Sequence, residues 1–216
     1  MKKMLVIEAH YDDMAFGCYA TVKKYQQEFN TEVYVFTICL RRRDDETDDR
    51  AKIAKKFYSD NMMESNNPSH YDTELNMASI REIVPALMET IKLFQPTIVL
   101  FPSNDLHPDH RIANAAGKIV TRPTPDNFFI KEVWEYCIPG SSKWDFGNND
   151  ILSGYKVIAV GRHWKDKIST ILLFNKELKK YPDMRSTKAI HNLMEADGNI
   201  FGLGYAEVHK ILYSRG

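Results

Sequence analysis

Two short segments concentrate the residues able to do chemistry, Ala9-His10-Tyr11-Asp12-Asp13 and Asp105-Leu106-His107-Pro108-Asp109-His110. Together they hold three of the seven histidines and four aspartates, the donor types preferred by a borderline divalent ion such as zinc. His10 and Asp13 stand three residues apart across a turn, so both can reach one ion. His110, in the first helical turn after Pro108, can close a His-Asp-His set. Three protein ligands leave a fourth position for water, which marks catalytic rather than structural sites. Taken singly, Asp12 or Asp13 would serve as the N-cap of the next helix, and His107 and His110 as ordinary helix-start histidines. Two clusters of complementary donor type, each directly after a buried strand, argue for a shared site instead.

The elements that must position these residues can be read from hydrophobic spacing. Met4 to Ile7 and Glu32 to Leu40 are apolar, β-branched runs suited to strands buried on both faces, with a helix expected over Ala15 to Phe29. The block RRRDDETDDR at 41–50 reads as a solvated loop leading into a helix from Asp49 to Tyr58, and Asp60 to Asp72 as a further loop. Ile80, Ile83, Val84, Leu87, Met88 and Ile91 recur at helical spacing, predicting a helix over 77–94 kinked by Pro85. Thr97 to Phe101 is a third buried strand, and Pro108 suits the first turn of a helix to Val120. Strands at Glu132 to Cys137 and Tyr155 to Val160 and a helix from His163 to Lys180 follow, with long loops at 121–127 and 139–154. This alternation predicts a single α/β domain over 1–216, a Rossmann-like open, mostly parallel sheet with helices on both faces. Ligands in such sheets bind beyond the carboxyl ends of the strands, where both clusters fall.

Composition narrows the function classes. The 29 Lys+Arg balance the 29 Asp+Glu, so no net positive field draws nucleic acid, and nucleic acid is not an expected partner. Cys18, Cys39 and Cys137 are scattered and odd in number, which fits a reducing compartment better than a disulfide framework. The opening apolar run is too short for a signal-peptide core, and no stretch reaches the ~20 residues needed to span a bilayer. A cytoplasmic protein without a membrane span is therefore expected, and a homo-oligomer stays open.

The two segments resemble the PIG-L/LmbE-like family of zinc-dependent de-N-acetylases. That family has a strand followed by A/P-H-P-D-D-E and later a strand followed by H-P-D-H; this chain has AHYDDM at 9–14 and HPDHR at 107–111. YAEV at 205–208 is similar to the family's Y-A-E-x-F. The resemblance implies His10, Asp13 and His110 as ligands to zinc, with iron(II) as the alternative ion, and Asp12 as general base. It implies His107 as the group that polarises the substrate carbonyl or, as an imidazolium, stabilises the oxyanion, with Asp109 orienting it, and a small amino-sugar conjugate as substrate. Arg50 looks like the family arginine at the equivalent helix start and is a candidate substrate contact, as is Arg111. Tyr11 and Met14 replace the family proline and glutamate, so a hydrogen-bonding group beside the site is expected to be missing. The family's G-E stretch is not visible in FTICLRRRDDE, nor its H-x-S-Q pattern around LLFNKE, which implies a substrate other than a simple N-acetylglucosamine conjugate. Glu207 is expected at the surface, and Trp134 and Tyr136 in the core rather than against a sugar. The rival readings are a non-catalytic sugar- or metal-binding member and a non-haem iron oxygenase, the latter disfavoured because such sites sit on antiparallel barrels.

Overall fold

The computed structural model describes residues 1–39, 42, 45–58, 62–64 (backbone only), 70–144 and 154–215. The centre of the fold is β1 (Lys3–Glu8), β2 (Glu32–Thr37), β4 (Ile98–Pro102) and β5 (Glu132–Tyr136), extended by the short β3 (Met62–Glu64). The sheet order is β3-β2-β1-β4-β5-β7-β6, where β6 is Tyr155–Ala159 and β7 is Ala206–Ser214. The first five strands run parallel, and β7 pairs antiparallel with both β5 and β6. Successive residues of a strand point to opposite faces, so the apolar runs of β1 and β4 supply two cores at once. Met4, Val6, Ile98 and Leu100 enter one core, while Leu5, Ile7, Val99 and Phe101 enter the other.

The first core is closed by α2 (Tyr19–Phe29), α3 (Arg50–Phe57), α6 (His163–Leu173) and α7 (Thr187–Ile200). The second is closed by α4 (Ile80–Phe94) and α5 (Pro108–Val120). The expected doubly covered, mostly parallel sheet is therefore present, and the expected strand at Tyr155 is β6, joined to it through the antiparallel β7, which was not expected. The segment expected as one helix over Ala15 to Phe29 divides into α1 (Asp13–Gly17) and α2 at Cys18. At that break a Cβ on Gly17 would lie 2.4 Å from the Tyr136 ring, so only glycine lets α1 close onto β5. The helix expected to reach Lys180 ends at Leu173, and α4 runs through Pro85 without interruption. The loops expected at 41–50, 60–72 and 139–154 lie partly outside the described residues.

Candidate metal centre and active site

The chain leaves β1 toward β2 on one side and reaches β4 on the other, so the crevice between the carboxyl ends of β1 and β4 is the topological switch point of the sheet. The first cluster turns out of β1 into α1, and the second turns out of β4 into α5, with His107 as the α5 N-cap. Residues 100 positions apart thereby meet, the His10 and His110 ring centroids 5.4 Å from each other. Asp13 lies between the two rings, its Oδ2 3.4 Å from His10 Nδ1 and its Oδ1 3.3 Å from His110 Nε2. Two ligands each ~2.1 Å from a tetrahedral ion stand ~3.4 Å apart, a spacing each of these contacts matches singly, through different Asp13 oxygens. Among the described residues, potential ligand atoms within 4.8 Å of one another form three overlapping sets: His10-His107-His110, His10-Asp72-His107-Asp109 and His10-Asp12-Asp13.

The far side of each ring supports the same reading. His110 turns Nδ1 to both Asp105 oxygens at 3.0 Å, which leaves Nε2 for the cleft. His10 turns Nε2 to Asp109 Oδ2 at 2.9 Å and Asp72 Oδ1 at 3.2 Å, which leaves Nδ1 toward Asp13. Asp13 Oδ2 accepts the backbone N–H groups of Ala9 and His10 at 3.0 and 2.8 Å. A carboxylate on the distal nitrogen of a ligand histidine fixes the ring and raises its donor strength. Burial opposes charge on both rings, but Asp13 and the other carboxylates outweigh it, raising His110 to about 9 and His10 well above its ordinary value. A cavity that draws protons this strongly draws a divalent cation for the same electrostatic reason.

The remaining candidates fall around a cleft of about 400 Å³. Asp12 is buried on its wall, with Oδ2 2.6 Å from Arg185 Nη2 and Oδ1 3.4 Å from Arg50 Nη1. Arg50 is also buried there, anchored to Asp48 at 2.7 Å and Asp72 at 2.6 Å, and lines the same cleft as Asp12. Arg111 is exposed and donates to the Asp105 carbonyl, outside the cleft wall. The Asp109 carboxylate does not contact His107: it accepts from Thr73 N at 2.6 Å and Leu75 N at 3.2 Å while holding His10. His107 instead receives the Asp109 backbone N–H on Nδ1 at 3.2 Å. Burial, with His10 and His110 as positive neighbours, lowers the His107 pKa.

Sequence reasoning counted Asp105 only among the donors of its cluster and gave no role to Asp72, Arg185 or the wall residues Leu106 and Trp144, which are 47% and 46% exposed. Met14 contributes no side-chain hydrogen bond, and its backbone N–H is met by Glu8 of β1. Glu8 is fully buried, accepts from Met14 N at 3.1 Å, Thr37 Oγ1 at 2.7 Å and Tyr58 Oη, and burial pushes its carboxyl up to about 8. Glu207 is not at the surface: it is 4% exposed and ion-paired with Lys167 at 2.6 Å. Trp134 and Tyr136 are wholly buried core residues, as expected.

Comparison with known proteins places this geometry in context. No curated protein matches the chain. Among solved structures, the zinc-inhibited form of teicoplanin deacetylase Orf2 is similar over 97% of each chain, at 14% identity and a TM-score of 0.72. N,N'-diacetylchitobiose deacetylase from Pyrococcus horikoshii is similar over 98% of this chain and 84% of its own, at 19% identity and a TM-score of 0.69. The 4-carboxy-2-hydroxymuconate hydratase GalB from Pseudomonas putida KT2440 is similar over 100% of this chain and 98% of its own, at 14% identity and a TM-score of 0.65. The shared fold thus carries more than one chemistry and does not choose between them. A family model described as PIG-L, GlcNAc-PI de-N-acetylase, matches residues 5–121, more than half of the chain and both strand-end clusters, and this protein belongs to the PIG-L family.

Proposed function

We propose that the protein is a metal-dependent hydrolase that removes the N-acetyl group from a small amino-sugar conjugate, releasing acetate and a free amine. The observation that carries this reading is the placement of Asp13 between His10 and His110, with Asp12 on one flank and His107 on the other. His10, Asp13 and His110 would hold the ion, zinc or alternatively iron(II). When bound, such an ion supplies a water of pKa near ~7 and Lewis-acid polarisation of the amide carbonyl. Asp12 takes the proton of the attacking water and passes it to the leaving amine. His107, with Nδ1 accepting the Asp109 backbone N–H, presents Nε2–H to the oxyanion as the tetrahedral carbon forms. Asp105, Asp72 and Asp109 fix the ligand rings, and Leu106 and Trp144 offer an apolar wall on which a sugar ring can lie.

The roles separate by mutation. Asp12→Asn abolishes acetate release while metal content stays unchanged, and His107→Ala lowers kcat about 10²- to 10³-fold with the ion retained. If both variants lose metal in parallel with activity, the two side chains act as ligands and the assignment fails. The hydratase among the structural relatives motivates a second reading, water addition to a carbon–carbon double bond at the same centre. Acetate release from an N-acetylated sugar distinguishes the two, because hydration yields no leaving group.

A further inference from the structure

The loop that follows β5 walls the cleft on one side, with Ile138, Pro139, Gly140, Ser141 and Trp144 among its lining residues. The same loop is fastened to the carboxylate that orients a ligand histidine. Asp105 Oδ2 accepts the hydroxyls of Ser141 at 2.8 Å and Ser142 at 2.7 Å, and that oxygen also stands 3.0 Å from His110 Nδ1. Asp105 Oδ1 lies 3.0 Å from the same nitrogen and accepts the His107 backbone N–H at 2.9 Å, which docks the carboxylate on the start of α5. A carboxylate only accepts, so each serine directs its single proton to Asp105. The Ser142 oxygen then has two lone pairs left, and they take the Ile138 N–H at 2.8 Å and the Ser103 hydroxyl at 2.9 Å. The Ser142 backbone N–H returns to the Ile138 carbonyl at 3.0 Å, closing a turn that contains Gly140 at a φ of +98°. Every hydrogen-bonding position of the Ser142 hydroxyl is thus filled, and the wall has one defined attachment to the metal cluster.

We propose that Ser141 and Ser142 are positioning residues that couple the cleft wall to His110 through Asp105, so that an ion on His10, Asp13 and His110 and the ordered wall stabilise each other. The inference rests on the metal-dependent reading, which supplies the ion. A cation on His110 Nε2 draws electron density from the ring and makes Nδ1–H a stronger donor to Asp105, and successive hydrogen bonds in such a chain polarise one another. The coupling is reciprocal: whatever fixes the wall also fixes the ligand ring. The surface on which a sugar lies is therefore assembled together with the loaded centre. Both serines lie outside the family-matched residues 5–121, so this link belongs to the loop and not to the two motifs.

The test titrates zinc against a competing chelator and follows tryptophan fluorescence, neither of which needs a substrate. Zinc has a filled d shell and no redox chemistry, so a change in emission that Trp144→Phe lacks reports the surroundings of Trp144, which is 46% exposed on the wall. Wild type is expected to bind zinc and to show that change. Ser141→Ala, which keeps the Ser142 turn, should weaken zinc binding about threefold, and Ser141→Ala/Ser142→Ala about tenfold with the Trp144 response lost, the lower end of the range for groups behind a metal ligand. In an Asp105→Ala background the double serine substitution should weaken zinc no further, because the carboxylate through which it acts is gone. A merely structural loop would lower resistance to urea in either background without this dependence on Asp105. Unchanged zinc affinity or an unchanged Trp144 response in the double variant, or the same loss with and without Asp105, overturns the inference and leaves the metal-dependent reading intact. Failure of wild type to bind zinc overturns that reading and the inference with it.

Discussion

At the scale of single residues, the centre is organised by carboxylates behind the ligand rings as much as by the rings. Asp105 is 1% exposed, holds His110 Nδ1, and receives the Ser141 and Ser142 hydroxyls at 2.8 and 2.7 Å. Replacing it with Ala should weaken metal affinity about 10- to 100-fold with the fold retained, as measured by competitive chelator titration. Unchanged affinity would show that His110 needs no orienting partner. The meeting of His10, Asp13 and His110 was legible in the sequence because they lie in compact clusters directly after apolar strands. Asp72 and Arg185 were not, because each arrives from a distant connecting segment whose local pattern says only that it is polar.

At the scale of elements, α2, α6 and β7 are joined beneath the site by a buried polar network. Lys167 on α6 bonds Glu207 on β7 at 2.6 Å, and the other Glu207 oxygen accepts Thr21 N of α2 at 2.7 Å. Lys167→Met would leave a buried carboxylate without its cation and should cost about 3–5 kcal/mol in urea unfolding, most of it recovered in the Lys167→Met/Glu207→Gln double variant. A loss below ~1 kcal/mol in the single variant would show that water solvates the pair. His209 on the same strand is 1% exposed, stacks on Trp134 and meets Thr21 Oγ1 at 2.9 Å. Burial, opposed by Glu207 and reinforced by Lys167, lowers its pKa to about 4. The unfolded chain, with a histidine pKa near ~6.5, therefore binds more protons across this window, so the contribution is present above that value and is lost as pH falls toward 4. It should amount to roughly 3 kcal/mol. Thermal melts of wild type and His209→Gln from pH 7 to pH 4 should converge if this holds, and a constant difference would refute it. The parallel strands were readable because burial on both faces makes them continuously apolar. α7 and β7 were not predicted, although Ser186, which caps Ala189 N at 3.1 Å, and the buried Ile190 and Met194 four residues apart are local signals of the helix. In β7 the buried charges and histidine interrupt the apolar pattern that would announce a strand.

At the scale of the whole molecule, the fold brings the two strand ends on either side of the switch point close enough for donors from both to share one ion. Binding such an ion in the native state alone stabilises the fold by mass action, about 4 kcal/mol at a free concentration a thousandfold above Kd. Chelation should lower the melting temperature of wild type and leave that of a His10→Ala/His110→Ala variant unchanged; an equal response in both would place the ion elsewhere. The central claim joins the ion, Asp12 and amide hydrolysis, and acetate release by chelated protein before and after readdition of one equivalent of zinc tests that union most directly. The account predicts release from an N-acetylated amino sugar that vanishes on chelation, returns with the metal and is absent throughout in Asp12→Asn. Release that persists in chelated protein, or that Asp12→Asn retains, would contradict it.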